Sequence, residues 1–314
     1  MRLKGLAQFK GAAVTAVALA TAGTALVIPS DRPAAQQTSG AEPDGSSQAC
    51  LIVDTDVGLD DLRAVAALLP SRNVRAVVVT EGIASVPRGA TAVSMFMASG
   101  KQTPPVITGL ASPAPPNYDW LPAARAGAER INNFLAASVP FATDDSTMNQ
   151  QVRAAVYGCS RVQVLVLGPW TSFNRYLSVL GSDVRVVASG RPYAENNPDN
   201  FNCEYDLAAC QTAASLLRWV RSAVFVDLPA YTGDPTYDPT EEMVAQYERA
   251  GVPGLLRAAL LLDPSQWLGT RLWDDAATLY LLQPQLFAQR GKHVEPWIGE
   301  AKFRELLVAA TNGG

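Results

Sequence analysis

In 50-CLIVDTDVGLDDLRAVAALL-69 an apolar run ends in four aspartates, Asp54, Asp56, Asp60 and Asp61, packed into eight positions. The run LIV is short and β-branched, as a strand buried on both faces should be, and LRAVAALL carries the spacing of three and four that marks a helix. Asp54 and Asp56 therefore end a strand, Gly58 allows a tight turn, and Asp60 and Asp61 open a helix. Adjacent carboxylates repel one another, so a folded site that keeps several ionised needs a cation or must let some protonate. Hard oxygen ligands that converge at a strand end suit Ca²⁺ or Mg²⁺. Three other readings explain less. An EF-hand loop would be flanked by helices on both sides. A phosphatase using an aspartyl phosphate would carry Thr or Val where Gly58 stands. Acidic helix capping accounts for Asp60 and Asp61 but leaves Asp54 and Asp56 without a role.

Outward from this stretch the same pattern repeats. VRAVVVTEG, PPVITG, VQVLVLG, VRVVASG and SAVFVDL read as further buried strands, and ATAVSMFMASG, MNQQVRAAVYG and LAACQTAASLLRWVRS as helices between them. The alternation predicts an α/β fold with a mostly parallel central sheet flanked by helices, Rossmann-like, whose ligands sit at the carboxyl ends of the strands. With 314 residues, 48% of them hydrophobic and 17% charged, the chain can bury a sizeable core. A net charge of −4 without a Lys/Arg run excludes nucleic acid as a partner.

Arg2, Lys4 and Lys10 precede the uncharged stretch 11-GAAVTAVALATAGTALVIPS-30, so residues 1–30 read as a signal peptide or signal anchor. Cleavage after Ala22, Ala25 or Ala35 would release a secreted or extracytoplasmic protein, whereas an uncleaved segment would anchor it to a membrane. Residues 31–49 are Pro-, Gly-, Ser- and Gln-rich and read as a flexible linker, and residues 50–314 as the folded domain. In an exported chain four cysteines favour disulfides. Cys50 and Cys159 each precede a strand, so neighbouring parallel strands would bring them side by side, and Cys203 and Cys210 are close in sequence. Spacing alone leaves other pairings, and free buried thiols, open.

DTDVGLDD resembles the D-T-D-x-G-x-D-D signature of the inosine–uridine preferring nucleoside hydrolases, and the likeness runs from Cys50 to near Arg290. TPPVITGLASP, VQVLVLGPWTSF, DNFNCEYDLAA and WDDAATLYLLQPQLF are similar to later segments of that family, in the same order. The resemblance implies the nucleoside hydrolase fold and a Ca²⁺-dependent enzyme that cleaves the N-glycosidic bond of ribonucleosides. It implies Asp56, Asp61, Asp274 and the Leu167 carbonyl as metal ligands, with Asp56 also taking a proton from water. Counting back from Tyr280 selects Asp274 over Asp275. Asp60, Asn202, Asn200 and Asn196 or Asn197 would bind the substrate, and Asp54 would orient the other carboxylates. The implied partner is a small-molecule nucleoside, and homo-oligomerisation is left open.

The departures narrow the expectation. Ile83 stands where the family carries Asn, Asn200 where it carries Glu, and Trp273 where some members carry a histidine that protonates the leaving base. The lone histidine, His293, lies outside every motif and reads as a surface residue. Trp273 reads either as core or as a ring that stacks on the base, with Tyr118 or Trp120 opposite; stacking would favour purines. The second functional reading is an altered or non-catalytic member of the fold that binds a nucleoside, sugar or surface partner through a retained metal site.

Overall fold

A computed structural model describes residues 49–98, 102–113, 115–129, 144–190, 201–228, 237–249 and 270–312. The strands expected from the apolar runs all form: β1 (Cys50–Thr55), β2 (Val74–Val79), β3 (Val106–Thr108), β4 (Val162–Val166), β5 (Val184–Ser189) and β6 (Ser222–Val226). Between and around them lie α1 (Leu59–Leu68), α2 (Val86–Ala98), α3 (Leu121–Ala128), α4 (Asp145–Ala155), α5 (Phe173–Tyr176), α6 (Phe201–Tyr205), α7 (Leu207–Leu216) and α8 (Glu241–Arg249). The chain then adds α9 (Trp273–Leu282), β7 (Phe287–Arg290), β8 (His293–Pro296) and α10 (Glu300–Thr311). The eight strands make one sheet in the order β3-β2-β1-β4-β5-β6-β8-β7. Every pairing is parallel except β7 with β8, an antiparallel edge.

Alternation along the strands divides the core into two layers, because successive side chains leave opposite faces of a sheet. Leu51, Val53, Val77, Val79 and Leu165 pack beneath α1, α2, α9 and α10, while Ile52, Val78, Val164, Val166 and Val186 meet α4, α5 and α7. Both faces are covered, which is why β1, β2 and β4 read as near-continuous apolar runs.

Both proposed disulfides are present, Cys50–Cys159 and Cys203–Cys210. The first joins the start of β1 to the chain entering β4, as strand adjacency predicts; the second joins α6 to α7. Among the described residues no helix is long and apolar enough to cross a membrane. The 1–30 signal or anchor and nearly all of the 31–49 linker lie outside the described residues, as do Asn196, Asn197 and Asn200.

Candidate active site

Parallel strands leave their carboxyl ends on one edge, and the aspartates of the first motif gather there. Asp54 lies within β1, Asp56 follows its end, and Asp60 and Asp61 occupy the first turn of α1, where the helix dipole favours negative charge. Asp61 accepts hydrogen bonds from the Gly58 backbone at 2.8 Å and from the Thr55 hydroxyl, which itself accepts from Val57 N at 3.0 Å. These bonds hold Val57, a buried β-branched residue, at φ 65°. Such a conformation costs about 1–3 kcal/mol and persists where its surroundings over-determine it.

Asp56 sits between two glycines. A Cβ on Gly82 would fall 2.1 Å from Asp56 Oδ2, and one on Gly168 would fall 2.8 Å from Asp56 N. The carboxylate accepts from Ile83 N at 3.0 Å, and Ala84 N donates to the Asp56 carbonyl at 2.9 Å. The Ile83 contribution is thus a backbone donor, which any side chain at that position would supply. Arg125 from α3 secures this turn by donating to the carbonyls of Gly82 at 2.8 Å and Ile83 at 2.9 Å, and to Tyr205 Oη at 3.0 Å.

Asp60, Asp61 and Asp274 each bring a carboxylate oxygen within 4.8 Å of the others. Asp274, in the first turn of α9, is also hydrogen-bonded to Ser189 at the end of β5. Burial pushes its proton affinity well above the usual carboxylate range, and the charges of Asp61, Asp60 and Asp56 push it further. Asp56 rises for the same reasons, burial first and then the Asp61 charge. Half-buried Asp60 is pushed up to about 8 by desolvation and Asp61, against the opposing pull of Arg63.

Arg63 offsets only part of this charge, because its guanidinium is bound to Asp275. Its Nε lies 3.0 Å from both Asp275 carboxylate oxygens and its Nη2 lies 2.7 Å from Oδ2, with both side chains buried. That ion pair gives Asp275 a structural partner, while Asp274 stands in the cluster with Asp60 and Asp61. A set of hard carboxylates gathered at one strand edge, with Asp56, Asp60 and Asp274 raised in proton affinity by burial and then by neighbouring charge, fits a divalent cation such as Ca²⁺ or Mg²⁺.

The remaining candidates sit around the cluster. Asp54 is fully buried; its oxygens accept from Thr80 Oγ1 at 2.5 Å and Tyr176 Oη at 2.8 Å, and burial still lifts its pKa to about 7. Asp54 therefore braces β1 against the end of β2 and α5. Leu167 follows β4, and its carbonyl accepts from Asn202 Nδ2 at 2.5 Å, so the carbonyl expected to bind metal and the amide expected to bind sugar touch each other. Asn202 is on α6 immediately before Cys203, whose disulfide fastens α6 to α7. Asp206 caps α7 through Ala209 N at 3.0 Å and takes the Thr171 hydroxyl at 2.7 Å.

Trp273 is not a core residue: it is 44% exposed at the start of α9, with the Arg271 guanidinium 5.5 Å above its ring. Tyr118 and Trp120 stack on each other at 5.3 Å and meet Phe201, the neighbour of Asn202. A cavity of about 590 Å³ lined by Tyr118, Leu121, Arg125, Glu129 and Tyr205 lies beside the 81–83 turn and contains none of the aspartates. His293 departs from the surface expectation. It opens β8 one-third exposed, with Nδ1 2.9 Å from Asp227 Oδ2, and takes no part in the cluster. Sequence reading missed Thr55, Thr80, Tyr176 and Arg125. The hydroxyl at the end of VVVT was a local signal for Thr80, but Tyr176 and Arg125 act across 122 and about 40 residues and left no local trace.

No family model matches the sequence, and no curated protein matches it. Solved structures do match. An inosine-uridine preferring nucleoside hydrolase from Bacillus anthracis superposes with a TM-score of 0.60 at 15% identity, over 84% of this chain and 99% of that one. A purine-preferring ribonucleoside hydrolase from Gardnerella vaginalis gives 0.62 at 17% identity, over 84% and 98%. An inosine-guanosine nucleoside hydrolase gives 0.61 at 15% identity, over 85% and 98%. At this identity the likeness establishes a shared fold, and the chain has the fold of these nucleoside hydrolases.

Proposed function

We propose that the chain is an exported, Ca²⁺-dependent hydrolase that cleaves the N-glycosidic bond of ribonucleosides, with a preference for purines. The observation that carries this reading is the group Asp60, Asp61 and Asp274, with Asp56 beside it, at the carboxyl edge of a sheet shared with proteins named nucleoside hydrolases. Asp56, Asp61, Asp274 and the Leu167 carbonyl would hold the ion. When bound, it supplies Lewis acidity that makes water easier to deprotonate, and a positive centre for vicinal hydroxyls.

The chain's own residues supply the rest. Breaking a ribosyl C–N bond builds positive charge on the sugar, which ionised carboxylates stabilise. Asp56, fixed by the Ile83 amide and enclosed by Gly82 and Gly168, would accept the proton from the attacking water. Half-buried Asp60 is accessible to accept ribose hydroxyls. Asn202 can turn its amide from the Leu167 carbonyl to the sugar, and Asn196 and Asn200 precede it as 5′-side contacts. Trp273, exposed beside Asp274, offers an aromatic face to the leaving base. Two disulfides support export, since they persist in oxidising compartments.

The test is incubation of the purified chain and Ca²⁺ with a panel of ribonucleosides and deoxyribonucleosides. Release of free base and ribose from ribonucleosides is expected. Metal binding without base release from any of them would overturn hydrolysis and favour the binding reading, to which the replacement of the family's histidine by Trp273 points.

A further inference from the structure

The amino edge of the sheet, opposite the carboxylates, has its own chemistry. Tyr157, in the turn between α4 and β4, is 86% exposed, and Trp219, between α7 and β6, is 84% exposed. β4 and β6 flank β5 in the parallel order, so the two aromatic residues come from turns two strand spacings apart, roughly 10 Å. Exposed cations come from the same edge: Arg153 in the last turn of α4, Arg161 before β4, Arg218 and Arg221 before β6, Arg290 at the end of β7 and Lys292 between β7 and β8. Asp183, before β5, lies between Arg161 at 3.9 Å and Arg221 at 3.3 Å. A chain whose net charge is −4 thus gathers cations on one edge and carboxylates on the other.

This edge is also where the N-terminal segment joins the fold. Cys50 N donates to the Arg161 carbonyl at 3.1 Å, and the Cys50–Cys159 disulfide fastens the same point to the turn that carries Tyr157. In sequence, β1 is preceded by the linker 31–49 and the apolar stretch 11–30.

We propose that this basic, aromatic edge docks on an anionic lipid bilayer, with the carboxyl edge and its carboxylates turned away from it. Arginines are drawn to the negative surface of such a bilayer, and Tyr and Trp side chains partition into its headgroup region. A weakly apolar segment such as 11–30, interrupted by Thr and Gly, holds a protein poorly by itself, and a polybasic surface at its root is the second signal that stable attachment needs.

The experiment is sedimentation of the full chain with vesicles of phosphatidylcholine alone and of phosphatidylcholine with phosphatidylglycerol. The apolar segment contributes to both kinds of vesicle, so the ratio of the two affinities isolates the edge. Each basic side chain near an anionic surface is worth roughly fivefold, so Arg218→Ala with Arg221→Ala should lower the ratio about 25-fold. Trp219→Ser should lower binding to both vesicles, and Lys302→Ala, on the first turn of α10 at the other edge, should change nothing. The proposal is overturned if the double variant, with unchanged melting temperature, keeps the wild-type ratio. It is equally overturned if the variant alters only the oligomeric state, which would assign the edge to a second copy of the chain. Neither outcome bears on base release, which is measured separately.

Discussion

The two edges of one sheet are built on opposite terms. At the carboxyl edge, Asp54, Asp56, Asp61 and Asp274 are buried together, each other's charge is a source of instability, and Val57 is held in a strained conformation among them. At the amino edge the charges are exposed and screened, the strand starts are fastened by a disulfide, and no comparable repulsion is stored. The difference separates two kinds of work: the amino edge carries little stored repulsion, while the carboxyl edge gathers carboxylates whose repulsion a bound cation would relieve.

The largest effect that bears on this contrast concerns the disulfide. Cys50→Ala with Cys159→Ala, which opens a link between residues 109 apart, should lower unfolding stability by roughly 2–4 kcal/mol and leave turnover near wild type. Urea unfolding and base release measured on the same preparation check it; a parallel loss of turnover would show the two edges to be coupled.

Asp56→Asn should do the reverse. Turnover should fall by at least about a hundredfold, within the range for a lost general base, while the melting temperature without metal stays level or rises because one buried carboxylate has been neutralised. Near-normal turnover in the folded variant would remove Asp56 from the chemistry.

Cation binding should cancel the repulsion at the carboxyl edge. Ca²⁺ at about a hundred times its dissociation constant should add about 2.7 kcal/mol, and Asp61→Asn should abolish the gain. In chelator the pH dependence has a definite sign. Asp54 and Asp60 titrate near 7 and 8 in the fold against an ordinary 3.8, so the folded state binds more protons across that interval. Stability should therefore fall as pH rises from about 4 to about 8, and Ca²⁺ should flatten the slope. Thermal melts in chelator that climb over this interval would contradict the burial of these carboxyls.

The smallest effect is at Trp273. Aromatic stacking contributes about 0.5–1.5 kcal/mol, so Trp273→Ala should lower kcat/KM for purine nucleosides roughly two- to tenfold more than for pyrimidine nucleosides, with little change in melting temperature. Equal losses on both classes with a lowered melting temperature would give the ring a packing role in spite of its exposure.

How much of this was legible depended on the range of the interaction. β1 to β6 were visible because strands covered on both faces need unbroken Val, Ile and Leu, and that is a local signature. β7 (FAQR) and β8 (HVEP) were not, since an antiparallel edge pair covered on one side needs few apolar residues. The aspartates of DTDVGLDD were legible as a group because a strand end, a turn and a helix start fix their convergence within eight positions.

What surrounds that group was decided in three dimensions. The sequence by itself determined the parallel sheet and the edge at which the carboxylates gather, because backbone preference, side-chain periodicity and motif spacing act between neighbours. Only the tertiary structure decided that Arg63 is taken by Asp275 across 212 positions, that Thr80 and Tyr176 hold Asp54, that Arg125 steadies the turn donating to Asp56, and that Trp273 stands in solvent. Those outcomes depend on which distant groups burial brings within hydrogen-bonding distance, a condition set by the packing of the whole chain that no local pattern encodes.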